Sequence, residues 1–538
     1  MTATGFSRPT ALLVIALAVL CALLLALPGE TVTTKYVNDL FVFLDGAHRI
    51  DQGQIPNRDF HTALGPLTYY IPALGLWLSG TMGGAMPVGM ALLLVALAPA
   101  AAWILGSRLR PAIGIPLAVY LVLVLAVPAN LGESIAALSF AMFYNRIGWT
   151  ALGLLLVLYL PPRHAQAGQP VLDGLCASGL VLLMLYTKIS YGAVGIGFLV
   201  FLLLDPRQRG WAAGALAGIA AACLAIEFVW RGSVSHITDI MMAGRVSGGL
   251  GTPDRVLEIL LRNLADYILF AIFVVLALAR TRGFRDFLFF GFCAGSGFVL
   301  IAQNFQHWGI VTLGAGAAVG AEILARRDGV PGQRQSAFAG INLVLLGLVL
   351  PSIAHLSATL LLHAGLAASH RGASVPLPKF EGIRLVQLWH GGDHPAFSRY
   401  LASIEDGARA LEDIQGSPAR VLVLDFVSPF AAGLGLRPVA GDNTWHHWGR
   451  TIDETHFPPP ERLFQDATVV LEPKFPIEAW TANGMREVYA ETLQSRYRLS
   501  HETADWKVYV AQPEPAETVS NSDGSPDTPP ATGSAGGG

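Results

Sequence analysis

The chain has 538 residues, of which 53% are hydrophobic and 14% charged, against roughly 25% charged in a soluble domain. Its formal net charge of -3 is small for that length and argues against a nucleic-acid partner. Repeated apolar runs long enough to cross a bilayer exclude a soluble globular protein and indicate a polytopic α-helical membrane protein.

The first apolar run, 11–28, is preceded by Arg8 and followed by further runs, so it reads as an uncleaved first span rather than a secretory leader. Behind it comes a large loop, 29–85, containing "NDLFVFLDGAHRIDQGQIPNRDFHTALGPLTYY" (38–70). That stretch holds Asp39, Asp45, Asp51, Asp59, His48, His61, Arg49 and Arg58. Within the loop, 65–80 is apolar but short and broken by Pro66, Pro72 and Gly75, the pattern of an interfacial or re-entrant piece. Ten further spans are predicted near 86–106, 111–129, 147–160, 171–187, 191–204, 211–230, 264–280, 287–303, 308–325 and 337–362, making about eleven. All four cysteines fall inside apolar segments and read as small core residues.

The short loops that would face inward carry Arg108, Arg110, Arg163, Arg207, Arg209, Arg280, Arg282, Arg285, Arg326, Arg327 and Arg334. This density predicts an N-terminus on the inner, cytoplasmic side. Eleven spans then place residues 370–512 in the outer compartment. That region is polar, with β-like runs "RVLVLDFV", "ATVVLEP" and "WKVYVA" and a helical "AFSRYLASIEDGARALEDI", and reads as a small α/β domain after a transmembrane domain over 1–365. The tail 513–538, rich in Pro, Ser and Gly, is expected to be disordered.

Ionisable chemistry gathers at the outer ends of the spans. Besides the opening loop there are Asn145 and Arg146 in "SFAMFYNRIGW", Lys188 in "LYTKISYG", Arg245 in "SHITDIMMAGR", and Gln306 and His307 in "AQNFQHWG". A charge at the bilayer centre costs at least about 2.5–3.5 kcal/mol, so outer ends are cheaper sites, and solvated or snorkelling ends are the plain alternative. Lys188 interrupts a run from Val171 to Leu204 that is otherwise almost free of charge, and such a lysine calls for an anion. A carboxylate behind the first span, cations on other loops of the same face and many apolar helices suit chemistry on a lipid-linked phosphate. The tail stays in the bilayer, the phosphate meets Lys or Arg, and the carboxylate faces an acceptor arriving through water.

The opening loop resembles the first outer loop of the GT-C membrane glycosyltransferases, which include protein O-mannosyltransferases and the aminoarabinose and galacturonic acid transferases. Asp39 stands at the first acid of that pattern, followed by Ala47, Gly53, "PNRDF" (56–60) and "GPLTYY" (65–70). The second acid of the usual pair is Leu40 here, and Asn57 replaces an aromatic residue. The resemblance implies a GT-C-like transmembrane fold and inverting transfer from a polyprenyl-phosphate sugar donor to a glycolipid, glycan or protein acceptor. Asp39 would be the catalytic base, with a second carboxylate role open to Asp45 or Asp59.

The chemistry of the step agrees. A base must take the acceptor hydroxyl proton, while a phosphate leaving group needs positive charge more than an acid. Arg146, Lys188 and Arg245 are the candidate cations. Arg58, His61, Asn145, Gln306 and His307 are candidate contacts to sugar or acceptor. The plain alternatives are helix capping for Asp39, solvation for Asp45 and a structural ion pair of Asp59 with Arg58. "DNTWHHWGR" (442–450) offers carbohydrate contacts, but its adjacent histidines lack a third ligand at regular spacing, and no metal ligand is assigned. No cofactor is certain; a divalent cation stays open but weakly supported, because the second acid is missing. Two other readings compete: a transporter or flippase of lipid-linked sugars, and a non-catalytic envelope scaffold.

Overall fold

The computed structural model describes residues 6–512 apart from 165, 249–252, 305, 307, 328–333, 390–392 and 415–418. The tail 513–538 and His307 therefore lie outside the described residues.

The chain begins with α1 (Arg8–Ala26), which carries Pro9 in its first turn, where a missing N–H costs no hydrogen bond. A short strand β1 (Thr31–Thr33) and α2 (Val37–Asp51) follow. The apolar piece with Pro72 is a 13-residue helix, α3 (Leu67–Ser79). It packs on α4 (Met82–Arg108), whose N-cap Thr81 accepts a hydrogen bond from Gly84 at 3.1 Å. At the α3–α4 crossing a Cβ on Gly75 would stand 2.0 Å from the Ala85 carbonyl oxygen, so only glycine permits this approach. Then come α5 (Pro111–Ala126), α6 (Phe143–Val157), α7 (Gln169–Thr187), α8 (Ile189–Leu202), α9 (Arg209–Trp230), α10 (Ser233–Ser247), α11 (Pro253–Arg262), α12 (Leu264–Thr281), α13 (Phe284–Ala302), α14 (Val311–Arg327) and α15 (Arg334–Ala368).

Every predicted span falls on a helix. Among the described residues seven of these are long and apolar enough to cross a membrane: α1, α4, α7, α9, α12, α13 and the 340–368 part of α15. The count of eleven is not reproduced by length and composition. Helices α5, α6, α8 and α14 have only 16, 15, 14 and 17 residues, short of the roughly 20 a span needs. The apolar runs read from sequence had included turn residues at the ends of these helices, such as Leu158–Leu160 after α6.

After α15 the chain changes class. Strands β2 (Ala373–Ser374) and β3 (Ile383–Leu385) form a three-stranded sheet with β1, in the order β1-β3-β2, β1 and β3 running parallel. The first loop and the C-terminal region are thus knitted into one sheet across some 350 residues of chain. Next are α16 (His394–Glu412), β4 (Val421–Val423), α17 (Phe430–Leu434), α18 (Pro460–Leu463), β5 (Val469–Pro473), α19 (Ala479–Val488), α20 (Ala490–Arg496), β6 (Tyr497–Glu502) and β7 (Trp506–Ala511). The second sheet has the order β4-β5-β7-β6, with β4 and β5 parallel and the other pairs antiparallel.

Helix α2 is the hinge between the two halves. Nearly all of its residues are buried although it is no span, because α3 packs along it and the C-terminal region covers another side. Phe41 stacks on Phe380 at 5.0 Å, and a Cβ on Gly46 would fall 2.0 Å from the Tyr69 ring. At its far end His48 Nε2 meets the Leu436 carbonyl at 2.8 Å and Gln54 donates to the Pro438 carbonyl at 3.2 Å.

Candidate active site

Two cavities adjoin at Met142, which enters α6 with φ 51°. That left-handed residue sets the first turn of α6 so that consecutive side chains serve different cavities. Tyr144 lines one, and Asn145 and Arg146 line the other.

The first cavity, about 360 Å³, lies between the start of α2 and the C-terminal region. Asp39 is in the first turn of α2, where the helix dipole favours a negative charge; the N-cap is Tyr36, not Asp39. Among the described residues the Asp39 carboxylate has no hydrogen bond beyond the one from its own amide. Burial pushes it up to about 7, with Glu478 pushing further and Arg450 pulling back. Arg450 itself rests 5.3 Å from the Trp445 ring centroid, and Phe426, Phe397 and Tyr144 complete an aromatic lining. His447, also at the wall, is held down at about 4 by burial and then by Arg450, so it is neutral near pH 7. Aromatic faces around an acid and a guanidinium make a pocket of the kind that holds a polyhydroxylated ring.

This wall comes from the turns that follow β4 and β5. Phe426 follows the carboxyl end of β4, and Ile477 and Glu478 follow β5. Between them Asp425 accepts from the amides of Phe426 at 2.7 Å and Ile477 at 3.1 Å, tying both turns together. A crevice outside the carboxyl ends of parallel strands is where open sheets bind ligands.

The second cavity, about 470 Å³, is lined by Arg146, Asn145, Gln306, Arg262, Glu133 and Trp308, among others. Arg146 is 1% exposed, and its Nη1 donates to the Ala129 carbonyl at 2.6 Å. Its Nε and Nη2 are buried without a hydrogen-bond partner among the described residues. Arg146 is among the residues lining this cavity, and a guanidinium's planar fork takes an oxyanion in bidentate fashion, although the two spare donors themselves are sealed from solvent. Trp308 closes the wall by packing on Gly132 (φ 90°), where a Cβ would overlap the indole. Glu133 joins the cavities from behind, accepting from Tyr36 Oη at 2.9 Å and from Lys35 at 3.4 Å.

The remaining predicted residues divide. Lys188 donates to Asn145 Oδ1 at 3.1 Å and to Asn304 Oδ1, with its ammonium 5.1 Å from the Tyr144 ring. It supports the Arg146 cavity from behind. Gln306 accepts from the Trp149 indole at 2.9 Å and donates to the Trp308 carbonyl at 2.9 Å, so it shapes the wall.

Asp45 does not share Asp39's cavity, because six residues along a helix turn a side chain well over half-way round the axis. It is buried against Arg49 at 2.6 Å, and Arg49 reaches Asp442 at 2.9 Å. Asp59 is not paired with Arg58. Its carboxylate accepts from the Ile55 amide at 2.7 Å and closes a turn, while Arg58 donates to the Trp230 carbonyl at 3.5 Å. His61 faces Asp239 at 3.2 Å rather than a cavity, and Arg245 is exposed on α10 and lines neither cavity. Arg450, Glu478 and Glu133 were not among the predicted site residues; the only signal for Arg450 was its place in "DNTWHHWGR".

Asp39, Glu478 and Asp393 line the same cavity, but Arg450 brings a positive charge to that wall, which opposes a divalent cation there.

No family model matches the chain, and no curated protein matches it. Among solved structures, the crystal structure of the Archaeoglobus fulgidus oligosaccharyltransferase in complex with Zn and sulfate is similar over 85% of this chain and 67% of that one, at 12% identity and a TM-score of 0.35.

Proposed function

We propose that this protein is a membrane glycosyltransferase that moves a sugar from a polyprenyl-phosphate donor to a glycolipid, glycan or protein acceptor, with inversion. The observation that supports the reading is the adjacency of the two cavities across Met142, one lined by the Asp39 carboxylate, which among the described residues is hydrogen-bonded only by its own amide, and the other by the buried Arg146 guanidinium. The donor phosphate sits against Arg146 and the sugar reaches past Met142 into the aromatic cavity. Asp39 takes the acceptor hydroxyl proton as the acceptor oxygen bonds to the anomeric carbon. The bond from that carbon to the phosphate oxygen breaks, and the lipid phosphate leaves with its charge held by Arg146. On this reading residues 1–365 form the membrane domain of an inner-membrane protein. The N-terminus is cytoplasmic, and 370–512 is a periplasmic domain that supplies half of the sugar cavity.

The test compares surface glycolipids and glycans by mass spectrometry in cells with the gene deleted, restored, or restored as Arg146→Gln. A sugar unit missing on deletion, regained with the wild type and not with the variant, is expected. An unchanged glycan profile on deletion would overturn the proposal. With purified protein, Arg146→Gln is expected to weaken binding of polyprenyl phosphate at least tenfold, since a charge-assisted bidentate contact is worth about 1.5–3 kcal/mol.

Arg450 and Glu478 bear on Asp39 with opposite sign. Arg450→Gln removes the charge that lowers Asp39, so the acid limb of the kcat/KM profile is expected to move to higher pH. Glu478→Gln is expected to move it lower. Identical limbs in all three proteins would show that a different group is the base.

A further inference from the structure

Helix α10 has its polarity inverted. It buries His236 and Asp239 toward the protein and exposes Val234 (78%), Ile237 (50%) and Met241 (54%). These apolar positions recur at i, i+3 and i+7, so they form one stripe. On the buried face the Asp239 carboxylate is well satisfied. Asp239 accepts from Asn57 Nδ2 at 3.0 Å, from the Thr62 amide at 3.3 Å and from His61 Nδ1 at 3.2 Å. A helix in contact with water on its outer side would have the opposite arrangement.

Helix α11 repeats the theme. Leu257 (54%), Leu260, Leu261 (57%) and, at the start of α12, Leu264 fall at i, i+3, i+4 and i+7 and are exposed. Asp254, Glu258 and Arg262 lie on the adjoining face, Glu258 and Arg262 paired at 2.7 Å, while Ile259 alone is buried. Neither helix is among the membrane-crossing candidates.

Their position in the chain identifies what covers these stripes. Helix α9 has 22 residues and rises about 33 Å, enough to cross the hydrocarbon core, so α10 starts at the bilayer surface. The join is tight: Arg231 turns with φ 54°, and Glu227 accepts from Ser233 Oγ at 2.5 Å. Helix α11 passes into the spanning helix α12 through Asn263 alone. The lipid-facing surface of α9, with Phe228 and Val229 exposed, therefore continues through α10 and α11 into that of α12, with Ile268 and Val275 exposed.

We infer that α10 and α11 lie in the plane of the membrane, their apolar stripes seated at the boundary between headgroups and acyl chains. An amphipathic helix held at that depth is a stable arrangement, with its charged face among the headgroups. The inference stands apart from the transferase reading. It also bears on the site, since Arg262 at the end of α11 lines the Arg146 cavity, putting one wall of that cavity at headgroup level.

The test uses the full-length chain in liposomes, with Cys21, Cys176, Cys223 and Cys293 replaced by alanine and single cysteines at Ile237, Leu257, Leu261, Asp254 or Glu258 carrying an environment-sensitive fluorophore. Labels at Ile237, Leu257 and Leu261 are expected to be quenched several times more strongly by lipids brominated near the headgroup end of the chain than labels at Asp254 and Glu258, which respond to aqueous iodide. Quenching of all five by iodide alone would put the stripes in water. Quenching of the three by neither agent would mean that protein covers them, from a second copy or a partner. Either result overturns the inference. Should the cysteine-free chain fail to fold, the same labels on the unsubstituted chain, with the parent signal subtracted, give the same readout.

Discussion

Asp39→Asn is expected to lower sugar transfer by about 10²–10⁴-fold while membrane insertion and expression stay at wild-type levels. The substitution is clean because, among the described residues, the carboxylate's hydrogen bond is to its own amide, so no cross-chain contact is lost. Asparagine keeps the shape but cannot take a proton. The stability readout separates this from a folding defect, and its sign can be worked out. Burial raises Asp39 from its ordinary value to about 7 in the folded protein. Between the two values the folded state binds the proton more tightly than the unfolded state, so its stabilising effect is present at low pH and lost as pH rises through about 7. At pH 8 the wild type therefore bears the cost of a buried charge that the variant lacks. The melting temperature of Asp39→Asn at pH 8 is expected to equal or exceed that of the wild type, while transfer from a polyprenyl-phosphate sugar collapses. Retained transfer would remove Asp39 as the base; lost transfer together with a lower melting temperature would point to a structural role instead.

Much of the helical layout was legible because membrane spans and cores are written locally, in runs of apolar residues. So was the change of class near residue 370, where charge returns and β-branched runs appear. Asp39 could be singled out because it opens a polar loop directly behind a span. What local pattern does not carry is partnership over distance. The Asp39 cavity is closed by Trp445, Arg450 and Glu478, more than 400 positions along the chain, and apart from the aromatic "DNTWHHWGR" around Arg450 nothing local ties them to Asp39. The same limit applies to Asp45 and Asp59. Their spacing from Asp39 allowed a second catalytic acid, yet helix rotation sends one into an ion network and turn closure engages the other. Lys188 shows a middle case. Its isolation in an apolar run called for an anion, but two asparagine oxygens, from α6 and from just past α13, are what it meets.

Arg49→Met is expected to lower the stability of the folded chain by about 3–5 kcal/mol, because it leaves two carboxylates buried without their cation. Arg49, Asp45 and Asp442 all have side chains 2–3% exposed. The guanidinium uses Nε on Asp45, Nη2 on Asp442 and Nη1 on the Val439 carbonyl at 2.7 Å, so one side chain joins α2 to the 436–442 segment. Burial acts to raise Asp442, but the hydrogen bond from His446 and then the charge of Arg49 outweigh it and hold the carboxyl below its usual range. Lysine cannot replace this fork, since it offers a point charge where three directions are in use. Arg49→Lys is therefore expected to recover only part of the loss. The site depends on this docking, because Asp39 sits on α2 and Arg450 on the region that Arg49 anchors. Thermal unfolding in detergent and limited proteolysis of the linker after α15 read the effect: the variant is expected to melt earlier and to release the C-terminal region faster. A double-mutant cycle of Arg49→Met with Asp442→Asn isolates the cross-segment pair, and a coupling energy near zero would show that other contacts hold α2 to the C-terminal region. A transfer rate that falls in Arg49→Met at temperatures where the chain is still folded would mean that the two walls of the cavity must be held in register, not merely present.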